Sequence, residues 1–77
     1  MILTNENIEK IKKYKDLLNR GRYGNAYEIT DTWNEVYKDE KNFTPKKPVL
    51  CGTCLRKLIS EMYSDMEIVL REAEKET

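Results

Sequence analysis

Residues 55–70 read Leu55-Arg56-Lys57-Leu58-Ile59-Ser60-Glu61-Met62-Tyr63-Ser64-Asp65-Met66-Glu67-Ile68-Val69-Leu70. Leu55, Leu58, Met62, Met66, Val69 and, further on, Ala73 recur at spacings of three and four, with Ile59, Tyr63 and Leu70 widening the stripe. That period belongs to an amphipathic helix and to no strand. It predicts a helix over about 52–74, which would extend roughly 35 Å at about 1.5 Å per residue.

Two shorter segments upstream show the same period. In the first, Thr4 offers a capping hydroxyl, Glu6 suits the positive end of the helix dipole, and Leu3 and Ile8 stand at hydrophobic-staple spacing. Ile8, Ile11 and Leu18, with Tyr14 or Leu17 between, form its stripe, and Gly21 ends a helix over about 5–20. The second starts at Asn25 and carries Ala26, Ile29, Trp33 and Val36 or Tyr37 on one face over about 26–39, with Trp33 as a core residue. Between it and the long helix, residues 40–51 contain Pro45 and Pro48, which forbid helix and bias the residues before them to extended geometry. Phe43 and Val49 are the expected anchors of this loop, and Leu50 and Leu55 match staple spacing if Cys51 is the cap. No stretch alternates as a strand does. The expected fold is all-α: a single helical domain over 1–77, three helices with a proline-containing extended loop before a long third helix.

A chain of 77 residues with 39% hydrophobic and 36% charged side chains builds a thin core. The predicted third helix outreaches its partners, so its far end either frays or meets another subunit through Met66, Val69 and Leu70. Self-association into a homo-oligomer is the simplest way such a chain gains stability. The formal net charge is zero, but the charges fall in blocks: residues 1–24 carry a net +3, 25–40 a net −4, 41–57 a net +5 and 58–77 a net −4. Blocks of this kind describe helices that attract one another, or basic segments shown together to something acidic. Solvated helix faces are the competing explanation. Met1-Ile2-Leu3 is too short for a signal-peptide core and no apolar run approaches a membrane span, so the expected location is the cytoplasm of a host cell or a virion.

No histidine occurs, which removes the commonest general base and metal ligand. No Ser-His pair or glycine-rich phosphate loop is present either, and the expectation is a protein that is not an enzyme and takes no small-molecule substrate. The residues that invite chemistry are Cys51 and Cys54, in Cys51-Gly52-Thr53-Cys54 at the predicted start of the third helix. Three readings compete. A thiol pair beside free amides has the microenvironment of a redox couple, but such motifs normally open a βαβ unit. As a metal site the pair supplies two of the four ligands of structural zinc, so a second subunit would have to bring its own pair. Or Cys54 is a small buried hydrophobe and Cys51 a loop or cap residue.

Around the pair lie Lys41, Lys46, Lys47, Arg56 and Lys57. Cations at a helix N-terminus oppose its dipole, whereas free amides and cations together suit an anion. The first loop adds Arg20, Arg22 and Tyr23, an aromatic able to stack on a base. Arg20, Arg22, Tyr23, Lys46, Lys47, Arg56 and Lys57 are therefore the candidate binding residues, for a nucleic acid or an acidic protein surface. A charged rim on a small domain is the plain alternative.

From Trp33 through Tyr37 and Phe43 to Cys51-Gly52-Thr53-Cys54-Leu55-Arg56, the chain resembles a group of short helical proteins of bacteriophages and mobile elements, particularly those of Bacteroidetes. These have an aromatic helix, a Thr- and Pro-containing segment, and a Cys-Gly-x-Cys pair opening a last helix with an arginine near its start. The resemblance covers residues 33–56. It implies a phage accessory or structural protein, and it implies that Trp33 and the cysteines belong to one structural unit.

Overall fold

The computed structural model describes residues 1–22 and 24–75. Thr4 caps the first helix, α1 (Asn5–Asn19), its hydroxyl accepting the Asn7 N–H at 3.1 Å. At the far end Gly21 takes φ +77°, its N–H bonds Leu18 C=O at 3.0 Å and Arg22 N–H bonds Leu17 C=O at 2.7 Å. Those are the two bonds of a Schellman motif, and they need a residue free to go left-handed at Gly21. The second helix, α2 (Ala26–Tyr37), is capped by the Asn25 carboxamide, which accepts from Tyr27 N–H at 2.8 Å and Glu28 N–H at 3.4 Å. It stops at Tyr37, two residues short of the sequence reading. Asp39 and Glu40 would have faced the negative pole of the dipole, and the chain turns there instead. The third helix, α3 (Gly52–Lys75), has its length as expected.

Among the described residues, nine side chains make the core: Ile11 and Tyr14 from α1, Ile29 and Val36 from α2, and Leu55, Leu58, Ile59, Met62 and Met66 from α3. Each such aliphatic residue moved out of water is worth about 1.5–3 kcal/mol. One polar link crosses it. Tyr14 OH lies 3.1 Å from Thr32 Oγ1, and that hydroxyl donates to Glu28 C=O at 2.9 Å. The described residues contain no strand, so the three-helix, all-α architecture holds. No helix of the described residues is long and apolar enough to cross a membrane.

Two packing assignments and one assembly-surface assignment need correction. Trp33 is half-buried at the rim, not mid-core, because Ile29 and Val36 occupy the inward face of α2 while Trp33 turns toward the loop. Leu50 is 75% exposed and makes no staple. Met66 is 1% exposed in the core of its own chain, so of the residues expected at an assembly surface it is already used. The surface left on that side belongs to Ile68, which is 53% exposed.

Chain direction follows from a few bonds. Ile2 N–H bonds Val36 C=O at 2.8 Å, which sets the start of α1 beside the end of α2. Val49 N–H reaches Thr30 Oγ1 at 3.4 Å, one turn into α2. Residues 38–51 therefore run back along α2 as a strap, and α3 starts at the end of the bundle where the α1–α2 connection lies.

Candidate functional site

The strap begins with two tight turns, in which Glu40 N–H bonds Tyr37 C=O and Phe43 N–H bonds Glu40 C=O. Asn42 between them sits at φ +65°, a conformation that asparagine tolerates better than most residues. Beyond it the prolines keep the chain extended, and an extended chain cannot satisfy its own main-chain groups. Helix α2 supplies partners. The Asn34 carboxamide accepts from Lys46 N–H at 2.8 Å and donates to Lys46 C=O at 3.0 Å. Trp33 stacks on Tyr37 with ring centroids 4.4 Å apart and on Phe43 at 6.2 Å. The Lys46 ammonium lies 4.6 Å from the Trp33 ring centroid, a cation–π contact. Thr30, Trp33, Asn34 and Tyr37 thus form a second stripe on α2, at i, i+3, i+4 and i+7, that holds the strap.

Between strap and α3 this leaves an open groove of about 350 Å³, walled by Lys46 and Val49 on one side and Cys54, Lys57, Leu58 and Glu61 on the other. Two of the candidate binding residues, Lys46 and Lys57, come together there. Lys47 and Arg56 are exposed next to them in sequence, one on each wall's element. Lys46, Lys47 and Lys57 make no ion pair among the described residues. The first-loop cations differ. Arg20 is paired with Asp16 at 3.3 Å within its own helix, and Arg22 is exposed, its main chain tied into the helix end. Tyr23 lies outside the described residues.

Both thiols are free and exposed. The reading of Cys54 as a buried hydrophobe is therefore wrong: Leu55, Leu58 and Ile59 take the inward positions of the first turns, and Cys54 falls on the groove side. Cys51 C=O accepts the first intrahelical bond, from Leu55 N–H at 2.9 Å, which makes Cys51 the cap residue. Its thiol pKa is lowered, chiefly by the Cys54 main-chain N–H donating to the sulfur, then by the Cys54 thiol and the Thr53 N–H. Cys54 is raised, because its thiol donates to Cys51 and faces the charge that develops there; Lys57 pulls the other way. Among the described residues no three His, Cys, Asp or Glu side chains are placed to hold a metal ion. A closed zinc centre would need the thiols of a second chain.

Two other concavities lie elsewhere. One of about 460 Å³ is lined by Met1, Tyr37, Glu40, Asp65, Ile68 and Val69, with Tyr37 OH donating to Asp65. The other, about 470 Å³, is a polar trough between α1 and α2 carrying Glu28, Asp31 and Glu35.

The feature that sequence reasoning passed over is Asn34. Its signal was there: asparagine is a poor helix former in mid-helix, and here it follows a tryptophan on the flank of an apolar stripe. No protein-family model, curated protein or solved structure matches this chain.

Proposed function

We propose that this chain is a non-enzymatic accessory protein of the bacteriophage and mobile-element kind, working in the host cytoplasm or the virion, that binds an anionic macromolecular partner through the strap and the first turns of α3. The partner is a nucleic acid or an acidic protein surface. The observation that supports this most directly is the strap's attachment. The Asn34 clamp and the Trp33 ring hold Lys46 against the bundle beside Lys57, over a stretch, residues 41–57, that contains no carboxylate. Cations at a helix start work against the dipole and do not stabilise the fold, whereas a fixed set of them suits an anion. Arg20 and Arg22 follow α1 at its connection to α2, the end of the bundle where α3 starts, and add two further cations there.

The test is fluorescence anisotropy with a labelled single-stranded oligonucleotide and, separately, a polyglutamate peptide, each over a salt series. Binding that weakens with salt and is lost on reversing Lys47 and Lys57 to Glu supports the reading. Whichever probe binds more tightly at physiological salt identifies the partner class. Binding of neither probe at low salt sinks it.

One observation favours a second reading, self-association through α3: Ile68 stands exposed beside Val69 at the rim of the Tyr37–Asp65 groove. Sedimentation velocity over a concentration series checks it. A size that grows with concentration and reverts in Ile68→Glu would support an assembly role.

A further inference from the structure

The binding surface uses Cys54 as a groove wall and gives Cys51 no task. Yet the two thiols are exposed and stand one helical turn apart, at the cap and in the first turn of α3. Cys51 is the cap residue of α3, beside the free amides of the first turn, and its thiol pKa is lowered, first by the Cys54 N–H, then by the Cys54 thiol and the Thr53 N–H. A sulfur so placed is the more nucleophilic of the pair at neutral pH, because the thiolate is the attacking form. The pair supplies two metal ligands and the described residues supply no third, so this chain by itself favours sulfur exchange over metal binding.

We propose that Cys51 and Cys54 form a thiol–disulfide exchange pair, Cys51 attacking and Cys54 resolving, whose reaction partner is a small disulfide that carries carboxylates. The Cys51 thiolate attacks one sulfur of the partner disulfide. The partner's S–S bond breaks, one thiolate leaves with the electron pair, and a mixed disulfide to Cys51 remains. Cys54, its proton lost to solvent, then attacks the Cys51 sulfur and expels the second thiolate. Two protein thiols are oxidised to one intrachain disulfide, one small disulfide is reduced to two thiols, and the protons given up by the cysteines are taken up by the leaving thiolates. Carboxylates on the partner are assigned from the groove beside Cys54, where Lys46 and Lys57 stand against the single acid Glu61. The pair is a site of modification that changes state once per oxidant molecule, and this holds whether or not the basic surface binds a macromolecule.

Glutathione disulfide, which is anionic, and cystamine, which is cationic, are the probes. The reduced protein is mixed with each, quenched in acid and followed by intact mass. The wild type should end as a monomer lacking two hydrogens. Cys54→Ser should stop at the mixed disulfide, and Cys51→Ser should be captured at least roughly tenfold more slowly than Cys54→Ser. Glutathione disulfide should outpace cystamine, and Lys57→Glu should narrow that gap. Circular dichroism verifies that each variant keeps its helices, with alanine at the same position as the alternative substitution. Equal capture of the two cysteines, a mixed disulfide that never closes in the wild type, or an interchain disulfide as the main product would overturn the exchange pair. Cystamine reacting as fast as glutathione disulfide would overturn the partner class.

Discussion

The side chain of Asn34 brackets the main chain of Lys46, taking its N–H at 2.8 Å and giving a hydrogen bond to its C=O at 3.0 Å. One carboxamide thus replaces a neighbouring strand as the partner of an extended segment. It fixes the strap at the point where the candidate site takes one of its lysines.

Replacing Asn34 by Leu should leave the three helices intact and release the strap. Two lost hydrogen bonds, both with exposed surroundings, predict a cost of about 1–2 kcal/mol. For a chain of this size that is a fall in Tm on the order of 5–15 °C. Hydrogen exchange should show the Lys46 amide losing protection while the Ile59 and Met62 amides keep theirs. Unchanged protection at Lys46 would mean that Trp33 and Val49 hold the strap without the clamp.

Trp33 has two effects that a pair of substitutions separates. Its ring carries Tyr37, Phe43 and Lys46, whereas its Nε1–H is buried with no hydrogen-bond partner. Trp33→Ala should cost about 3 kcal/mol, the low end for tryptophan truncation because the residue is half-buried. Trp33→Phe keeps a ring and removes the orphan donor, and its melt should fall within about 1 kcal/mol of the wild type. Thermal denaturation followed by circular dichroism compares them. Equal losses in both variants would show that indole area, not stacking, decides.

Tyr37 sets an alkaline limit. Burial is the main cause that raises its pKa, followed by the hydrogen bond to Asp65 and the charge of that carboxylate. Its folded pKa exceeds the unfolded one, so its contribution is fully present below the ordinary tyrosine value of about 10 and is lost as pH rises beyond it. Above that pH the unfolded chain gives up a proton that the folded chain retains. Tyr14, raised first of all by burial, adds in the same direction. Urea midpoints measured from pH 8 to 11 should fall above pH 10 in the wild type and fall less steeply in Tyr37→Phe. Parallel curves would show that lysine titration alone sets the limit.

Charge reversal at Lys47 and Lys57 should remove binding and spare the fold. Both are exposed and neither makes an ion pair among the described residues, so Tm should move by no more than a few degrees. Glu at position 57 also suits the start of α3 better than Lys does. If the partner is a nucleic acid, each single reversal should reduce the slope of log K against log salt by about 1. A slope unchanged by both would place the contact elsewhere.

Helix number, caps and most of the core were open to reading from residue order alone, because period, capping hydroxyls and proline act through neighbours in the chain. Thr4, Asn25, Gly21 and the Leu55–Met66 stripe express the same physics in a peptide as in the folded protein. What residue order left open was which of several apolar or polar side chains on one helix faces which neighbour. Trp33 read as core and sits at the rim, Cys54 read as buried and is exposed, and Leu50 read as a staple and reaches solvent. Trp33 and Cys54 lie at the edge of an apolar stripe, where a rotation of one residue about the helix axis decides burial, and Leu50 lies in the strap, before α3 begins. That rotation is set by the other two helices and by the strap. The Asn34–Lys46 clamp, the Lys46–Trp33 contact and the groove between Lys46 and Lys57 join residues 11 to 13 positions apart. Only the return of the strap along α2 brings them together.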